Sequence, residues 1–507
     1  MDLDASYCLI KHHTKEINMT YTLEQLQRKK TPIYSLKAPL SLAKRESGLE
    51  THQIYRNEFM RDRDRVLYSK AFRRLAGKTQ VFLSGVDDHR RTRLTHTLEV
   101  SQIARSIAAS LRLDTDLVEA IALGHDLGHT PFGHVGERTL HEIMTPQVQH
   151  ILGETCPLNL LEKDEKISEE LVLHLGFKHN TQSLKAAMKL EKNYGNNGLD
   201  LTNFTLYGIQ AHSSTQYKQG RISNYDKLSY YDSFKKSGCM LKNGQFAWSL
   251  ESFVVAEADE IAQRHHDVED AIIGNLVSRE EIISIIQLHF NKHLSANDKR
   301  MLKQSKELDE ETFIATISRI IVNMYVSKLI KASVFNINTY IFQENIKQTS
   351  FAEYLKAHSP NHTSIKSIIS YNTQAEDNEF AEQSKKFERT ITDRVLSSYD
   401  IQTADAKGKY IIRKIFQAYY ATPQQLPNHC VYEFLEAYDP VKYAQSELLK
   451  MAKSDGIGKV RSIFSVVISN FQSEDINAKM ILMRIICDYI AGMTDTFAQK
   501  TYEELYG

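Results

Sequence analysis

The sequence predicts an all-α fold with a large helical core and a second, C-terminal helical lobe. Glycine and proline are sparse, at 21 and 9 of 507 residues, and leucine, isoleucine, alanine, glutamate and lysine are frequent. Apolar residues recur at helical spacing in several long segments. A chain of this length exceeds one ordinary domain, so we expect two lobes.

Charge and cysteine usage exclude several classes of protein. Lysine plus arginine and aspartate plus glutamate both number 63, which argues against a uniformly basic nucleic-acid binder. The five cysteines form no CxxC pair, so neither a disulfide framework nor a zinc finger is expected, and a reducing, cytoplasmic setting fits best. We expect neither a signal peptide nor a membrane span, because no apolar run has the required length.

The helical elements that matter most lie in the first half of the chain. Residues 1–50 show no clear period and are predicted to form an N-terminal arm. From Arg93 to Leu111 the apolar residues fall on one helical face, and His96 points the same way. Asp116 to Leu127 is predicted as a second, mostly buried helix that ends near Gly128.

Three further segments carry a strong helical pattern. The first, Ser249 to Ile273, contains Ala258-Asp259-Glu260. The other two, Ser384 to Asp400 and Ile481 to Phe497, belong to the C-terminal lobe, and the last could close it. The chain is therefore divided into an arm (1–50), a core (51–280) and a C-terminal lobe (281–507).

The most informative motif is the doublet His125-Asp126. It opens a stretch, 125 to 137, that holds three histidines and two carboxylates within thirteen residues. A neutral imidazole beside a carboxylate is a mixed nitrogen and oxygen ligand pair for a divalent metal. A catalytic metal needs further protein ligands and an open position for water or substrate.

Two residues elsewhere in the chain can complete such a site. His96 can supply a third ligand from the inward face of its helix, and Asp259 a fourth from a distant helix. A lone histidine on an apolar face is more often a satisfied core residue. The His125-Asp126 doublet favours a metal ligand over a core histidine at position 96, because burial of an aspartate without a partner would cost free energy.

An ordered set of motifs resembles a known family. Arg93-Leu-Thr-His96, then Gly124-His-Asp-Leu-Gly-His-Thr-Pro-Phe-Gly-His134, then Ala258-Asp259 are similar to the HD-domain metal-dependent phosphohydrolases. The similarity is strongest to the deoxyguanosine triphosphate triphosphohydrolase (dGTPase) branch and runs from about residue 53 to the end. Matching blocks stand at 56–65, 69–82, 176–183, 266–270 and 488–495.

The resemblance implies an HD-domain helical core and a specific reaction. A deoxynucleoside triphosphate (dNTP) is cleaved at the α-phosphate into the deoxynucleoside and tripolyphosphate. One divalent metal ion is implied, Mn²⁺ or Mg²⁺ first, with other transition metals possible. Its implied ligands are His96, His125, Asp126 and Asp259.

The same resemblance assigns an acid/base pair. His134 is implied as the proton donor to the leaving oxygen, with Glu137 three residues later on the same helical turn to orient it. His129 and His179 are implied contacts of the α-phosphate region. The alternative is that Pro131 breaks the helix and these residues only satisfy a loop.

Substrate contacts are implied on both sides of this site. Basic residues are dense between 61 and 93, and planar guanidinium groups bind phosphate oxygens well. Arg93 lies one turn before His96, while Gln80 and Val81 match positions near sugar and base. Asp267 matches a substrate-site carboxylate. Gln263 stands where the family usually has a tyrosine, and glutamine lacks the aromatic ring that would pack on the sugar.

The sequence leaves two other functions open. One is an HD-superfamily phosphodiesterase or nucleotidase for another phosphate ester, although no second His-His pair for a dinuclear site is found. The other is a non-catalytic nucleotide or nucleic-acid sensor, which loss of a ligand would favour. All four ligand residues are present, so the enzyme is preferred.

The resemblance also implies partners. The family is commonly oligomeric, often hexameric, and many members use a nucleotide activator. A homo-oligomer is therefore expected, a contact with single-stranded DNA stays open, and no membrane contact is expected. Arg61, Arg65 and Lys409 to Arg413 are the charged residues considered for an effector site or interface.

Overall fold

The computed structural model describes residues 22–48, 54–80, 91–144, 176–213, 216–217, 220–221, 249–346, 351–357, 367–373, 379–469 and 476–507. Regular structure in these residues is almost entirely helical, which confirms the all-α prediction. One short antiparallel pair joins β1 (Gln216–Tyr217) to β2 (Gly220–Arg221), with Gln216 opposite Arg221.

The helices are α1 (Leu23–Gln27), α2 (Glu58–Leu67), α3 (Lys70–Arg74), α4 (Arg93–Ser110), α5 (Thr115–Gly124), α6 (Gly133–Ile143), α7 (His179–Lys185), α8 (Asn203–Ala211), α9 (Leu250–Ile273), α10 (Arg279–Phe290), α11 (Ala296–Gln304), α12 (Glu310–Gln343), α13 (Phe351–Ala357), α14 (Glu379–Leu396), α15 (Tyr399–Ala421), α16 (Asn428–Tyr438), α17 (Gln445–Ser454), α18 (Ile457–Ser469), α19 (Ile476–Ala491) and α20 (Asp495–Tyr506). Short 3-10 turns at Leu40–Leu42, Leu75–Gly77, Gly195–Asn197, Ser305–Glu307 and Pro423–Gln425, and a π turn at Ala186–Leu190, complete the regular structure.

Two predicted helices are confirmed nearly residue for residue. Helix α4 begins after Thr92, whose hydroxyl accepts from the Thr95 amide in a reciprocal capping box. Its predicted stripe is buried, with Val100 and Ala104 both fully inaccessible. Helix α9 begins after Ser249, whose side chain caps the first turn. Both helices therefore start where a hydroxyl can satisfy free backbone amides.

The predicted end of the second helix was wrong by one turn. Helix α5 stops at Gly124 rather than Leu127. The Ser183 hydroxyl donates to the His125 carbonyl at 2.6 Å and accepts from the Gly128 amide at 2.8 Å. A tertiary contact from α7 thus takes over backbone groups of the next turn, and the chain leaves the helix.

Both strongly helical C-terminal segments contain a break that was not predicted. The segment 384–400 crosses from α14 to α15 at Ser397-Ser398, and 481–497 crosses from α19 to α20 between Ala491 and Asp495. In the second case the Thr494 hydroxyl caps α20 by accepting from the Phe497 amide. The apolar period continues across each break, so periodicity alone does not reveal the residue that caps the next helix.

Apolar side chains form two large cores and a smaller one. The largest combines part of the predicted arm (Leu36, Ala38, Ala43) with α4, α5, α8 to α10 and α12 to α14. A second core joins α6 to helices α15 to α20. The first core includes side chains on both sides of residue 280, so helices of the predicted core and C-terminal lobe share one apolar interior.

Helix α12 is long and apolar enough to cross a membrane by length and composition. It has 34 residues and an 18-residue window of mean hydropathy 1.4. Core helices of soluble proteins can have the same length and composition. Phe313, Ile317, Ile320 and Leu329 on this helix are fully buried in the largest core. Packing against other helices buries 44% of this window.

A buried carboxylate ties the N-terminal residues to α2 and α8. Asp62 accepts from Arg45 at 2.6 Å, from the Thr202 hydroxyl at 2.5 Å and from the Thr205 hydroxyl at 2.6 Å. Arg65, on the same helix, pairs with Asp200 at 2.9 Å. Arg61, considered above as an effector-site charge, and Arg65 are both buried. Their positions favour a structural role over an exposed effector site.

We expect Asp62→Ala to lower the free energy of unfolding by about 3–5 kcal/mol, since it removes a fully buried ion-pair partner of Arg45. Urea denaturation followed by circular dichroism measures the change. Asp393→Ala is the matched control, because this aspartate is 73% exposed and 3.8 Å from Arg389. It should stay within about 0.5 kcal/mol of the wild type. Equal effects of both variants would contradict the structural role of Asp62.

Candidate metal and phosphate site

Three helical regions bring the four predicted metal ligands together. His96 comes from α4, His125 and Asp126 from the turn after α5, and Asp259 from α9. His96 Nε2 lies 3.0 Å from Asp259 Oδ1, and His125 Nε2 lies 3.4 Å from Asp126 Oδ1 and 3.8 Å from Asp259 Oδ1. Donor atoms of His96, His125 and Asp259 therefore lie within 4.8 Å of one another, and Asp126 adjoins this group through His125.

The orientation of His125 fits a metal ligand. Its Nδ1 lies 2.6 Å from the Ala122 carbonyl oxygen, so Nδ1 carries the proton and donates. Nε2 is buried and has no hydrogen-bond partner among the described residues. Metal-ligating histidines are commonly held this way by their other nitrogen. A divalent cation would satisfy this otherwise unpaired atom.

Asp126 is the most strongly compensated carboxylate of the site. It is 2% exposed, and its oxygens lie 2.8 Å from Arg93 NH1 and 3.2 Å from His129 Nε2. Burial alone would raise its pKa, but His125, His129 and Arg93 outweigh burial and lower the pKa well below the ordinary value. The group is thus held in the charged form that a cation requires.

A second cluster of imidazoles lies beside the predicted ligands. The rings of His129 and His179 stack with centroids 4.1 Å apart. His179 Nδ1 lies 2.8 Å from Glu137 Oε2, whereas His134 Nδ1 lies 3.9 Å from the same oxygen. Glu137 therefore hydrogen-bonds to His179 and holds His134 only at ion-pair distance. The His134 side chain is 50% exposed, as access to a substrate requires.

Glu137 lies on α6 as predicted, because Pro131 precedes the helix rather than interrupting it. Burial would raise its pKa, but His179 and the His134 imidazole lower it well below the ordinary value. Lys178 adds a second contact at 3.2 Å. The carboxylate is thus ionised and shared between cationic neighbours.

Sequence reasoning missed His212, which follows α8. Its Nδ1 donates to the Ile209 carbonyl at 2.6 Å, and its Nε2 lies 3.2 Å from His179 Nε2. Burial lowers the His212 pKa to about 3, so Nε2 is an acceptor and His179 must be the donor. The other ring nitrogen of His179 faces Glu137. The available signal was a single histidine after a short apolar helix.

Arg93 and Gln80 adjoin the site through a short backbone pairing. Thr79 and Thr92 form an antiparallel bridge, and the Arg93 amide donates to the Lys78 carbonyl at 2.9 Å. Arg93 Nε and NH2 and Gln80 Oε1 are buried without a partner among the described residues. The two Arg93 nitrogens remain available for a bound anion, and the Gln80 oxygen for a hydrogen-bond donor. Val81 lies outside the described residues.

The two predicted contacts on α9, Gln263 and Asp267, follow Asp259 by one and two turns. Gln263 is one turn beyond Asp259 and half-buried. Asp267 lies eight residues beyond Asp259, which turns it about 80° away around the helix. Its carboxylate accepts from the Thr392 hydroxyl at 3.0 Å, on α14. Burial raises the pKa of Asp267 to about 7. The structure thus brings Asp267 to the packing between α9 and α14.

A polar clamp from the C-terminus holds the loop before His134. Asp495 accepts from the Thr79 amide at 3.1 Å and hydroxyl at 2.6 Å, and from the Phe132 amide at 3.0 Å. The buried Lys78 ammonium donates to the carbonyls of His129 and Ala491. Phe132 has a φ of 61°, a conformation unfavourable outside glycine, and the Asp495 contact offsets its cost.

The chain matches known families over both halves. Residues 93–210 match the HD domain, which contains three of the four ligand residues, and residues 375–443 and 469–504 match the phosphohydrolase-associated domain. HD domains bind divalent metals, in agreement with the donor groups found here.

Several relatives share one description. A deoxyguanosinetriphosphate triphosphohydrolase-like protein of Bartonella henselae is 31% identical over 465 residues, which is 90% of this chain and 91% of that protein. A protein of the same description from Rickettsia bellii is 32% identical over 457 residues, 89% of this chain and 92% of the relative. That from Rickettsia felis has the same identity and coverage. The chain therefore belongs to the deoxyguanosinetriphosphate triphosphohydrolase-like family of metal-dependent HD-domain phosphohydrolases.

Proposed function

We propose that this protein hydrolyses deoxynucleoside triphosphates, dGTP or several dNTPs, to the deoxynucleoside and tripolyphosphate. The observation that carries the proposal is the convergence of His96, His125, Asp126 and Asp259 beside an ionised carboxylate and three further imidazoles. The choice of substrate is supported by the name that the Bartonella and Rickettsia relatives share, deoxyguanosinetriphosphate triphosphohydrolase-like protein.

The four ligand residues would hold one divalent ion, with Mn²⁺ or Mg²⁺ the first choices. Such an ion polarises a phosphoryl oxygen and makes water a better nucleophile at neutral pH. The donor pairs His96–Asp259, His125–Asp126 and His125–Asp259 are 3.0 to 3.8 Å apart, which suits bonds of about 2.0–2.2 Å. The two carboxylates bring two negative charges, which match the charge of the cation.

The proton for the leaving 5′-oxygen comes from His134 in this proposal. Its imidazole is half exposed, stands 5.7 Å from the ring of His129, and lies within ion-pair distance of Glu137. Glu137 stabilises the protonated ring before transfer, and its contact with His179 keeps the carboxylate in place. His129 and His179 then line the side that receives the α-phosphate.

Arg93 is proposed to bind the triphosphate. One of its nitrogens is committed to Asp126, and the other two are free for phosphate oxygens among the described contacts. Gln80 and Val81 are proposed to contact the sugar and base, and Gln263 to replace a sugar-stacking tyrosine by a hydrogen bond. Asp267 is proposed as a substrate-site carboxylate, and its described hydrogen bond is with Thr392 on α14.

The remaining expectations concern regulation and assembly. A homo-oligomer, with a hexamer as one form, and a nucleotide activator are proposed from the family resemblance, and a cytoplasmic location from the cysteine usage. A contact with single-stranded DNA stays open. Lys409 and Arg413, considered as effector charges, both pair with Glu142, at 2.8 Å and 2.7 Å. An activator that used these cations would have to displace that glutamate.

The reaction is tested with purified protein, Mn²⁺ or Mg²⁺, and the four deoxynucleoside triphosphates, singly and mixed. Chromatography of the products should show a deoxynucleoside and tripolyphosphate. Orthophosphate or pyrophosphate as the primary product would refute the proposed cleavage and favour another phosphate-ester hydrolase. Binding of nucleotide without any turnover would favour the sensor.

We expect Asp126→Ala to abolish turnover together with metal binding, measured by metal content after dialysis. Because this variant also leaves Arg93 buried without its partner, Asp259→Asn serves as a second test. Its side chain is 23% exposed, so the fold should tolerate the change better. A metal-loaded, fully active form of either variant would contradict the ligand assignment.

His134→Ala should keep the metal but turn over about 10²–10⁴-fold more slowly, since general acid catalysis contributes factors of that size. Metal content and kcat are measured on the same preparation. The neighbouring Arg138→Ala is the control, because Arg138 is 54% exposed and pairs only loosely with Asp405 at 3.4 Å. Full activity of the His134 variant would remove this residue from the mechanism.

Asp495→Asn is expected to lower kcat about 10–100-fold through misplacement of the 129–134 loop, with metal content unchanged. An amide nitrogen cannot accept from either Thr79 or Phe132, so one contact is lost. Thr494→Ala is the matched control, because it costs α20 about 1 kcal/mol of capping without touching the loop. Equal rates for the two variants would show that Asp495 acts only through helix stability.

A further inference from the structure

A second group of metal-type side chains lies along the same pair of helices. Glu99 stands one turn after His96 on α4, and His265 and His266 follow Asp259 on α9. Glu99 Oε2 lies 3.2 Å from His265 Nε2 and 2.5 Å from His266 Nε2. All three donor atoms lie within 4.8 Å of one another.

We propose that Glu99, His265 and His266 form a second divalent-cation site, suited to Zn²⁺. Two imidazole nitrogens and one carboxylate oxygen are a donor set that zinc favours, and three protein ligands leave a fourth position for water or another ligand. The Glu99 side chain is 41% exposed, so this fourth position is open to solvent.

The distances allow a cation with little rearrangement. Tetrahedral zinc with bonds of about 2.0–2.1 Å separates its ligand atoms by about 3.3 Å. The contact between Glu99 and His265 already has that length. The contact between Glu99 and His266 must open by somewhat less than 1 Å, which is a rotation of an exposed glutamate side chain rather than a movement of a helix.

The two imidazoles are already fixed in place. His265 and His266 are 7% and 1% exposed. Behind His265, Glu269 Oε1 lies 3.7 Å from Nδ1, the ring nitrogen that faces away from Glu99. Glu269 in turn accepts from the Ser318 hydroxyl at 2.5 Å and pairs with Arg91. A carboxylate behind a histidine is the usual outer support of a metal ligand.

This group is separate from the catalytic ligands but adjacent to them. The rings of His96 and His266 have centroids 5.3 Å apart, yet His96 directs its Nε2 to Asp259. Neither site uses a donor atom of the other. A cation bound to Glu99 would therefore add positive charge next to the catalytic ligands without displacing one of them.

The competing state is a cation-free cluster in which both imidazoles donate to Glu99. The two states differ in metal content, which is measured without reference to turnover. Full-length protein is stripped with a chelator, dialysed against dilute Zn²⁺ and analysed for zinc per chain. We expect two equivalents for the wild type, one for Glu99→Gln and one for Asp259→Asn.

Glu260→Gln is the control, since Glu260 lies on the same helix with a 52% exposed side chain. It should retain two equivalents. Equal zinc content in the wild type and Glu99→Gln would overturn the second site. Substitution with Co²⁺ gives an independent readout, because Glu99→Gln should lose one set of visible absorption bands that the control keeps.

The inference is independent of the proposed reaction. A protein that binds two equivalents but fails to release tripolyphosphate would refute the reaction and retain the second site. A protein that releases tripolyphosphate with one equivalent of zinc would do the reverse.

Discussion

The burial of Asp126 is the constraint on which the rest of the site depends. A carboxylate 2% exposed to water is stable only when opposite charge and hydrogen-bond donors surround it. Arg93 and His129 supply these contacts from two directions. Arg93 and His129 can make these contacts only if the backbone at the start of α4 and in the turn after α5 is fixed. The burial of this one carboxylate therefore constrains both segments.

The parts predictable from sequence were those with a local pattern. Helices α4 and α9 have an apolar period and a hydroxyl cap at the start, so both their extent and the inward direction of His96 could be read directly. The doublet His125-Asp126 identified a metal-type site because two ligand types are adjacent. The family motifs then joined it to Asp259.

The parts that could not be predicted depend on contacts between distant segments. Helix α5 ends early because Ser183 competes for its backbone, and no residue near Gly124 signals this. His212 joins the imidazole cluster from a segment with no motif of its own. Glu137 was expected behind His134, but a histidine 42 residues away makes the shorter contact. Periodicity describes one helix at a time and cannot rank such competing partners.

The clamp formed by Lys78 and Asp495 also has a consequence for biosynthesis. A growing polypeptide emerges from its N-terminus, so every predicted metal ligand is translated long before Asp495. The loop that carries His134 is therefore translated before the aspartate that holds it. A chain that ended before Asp495 would lack the contacts that fix Thr79 and Phe132.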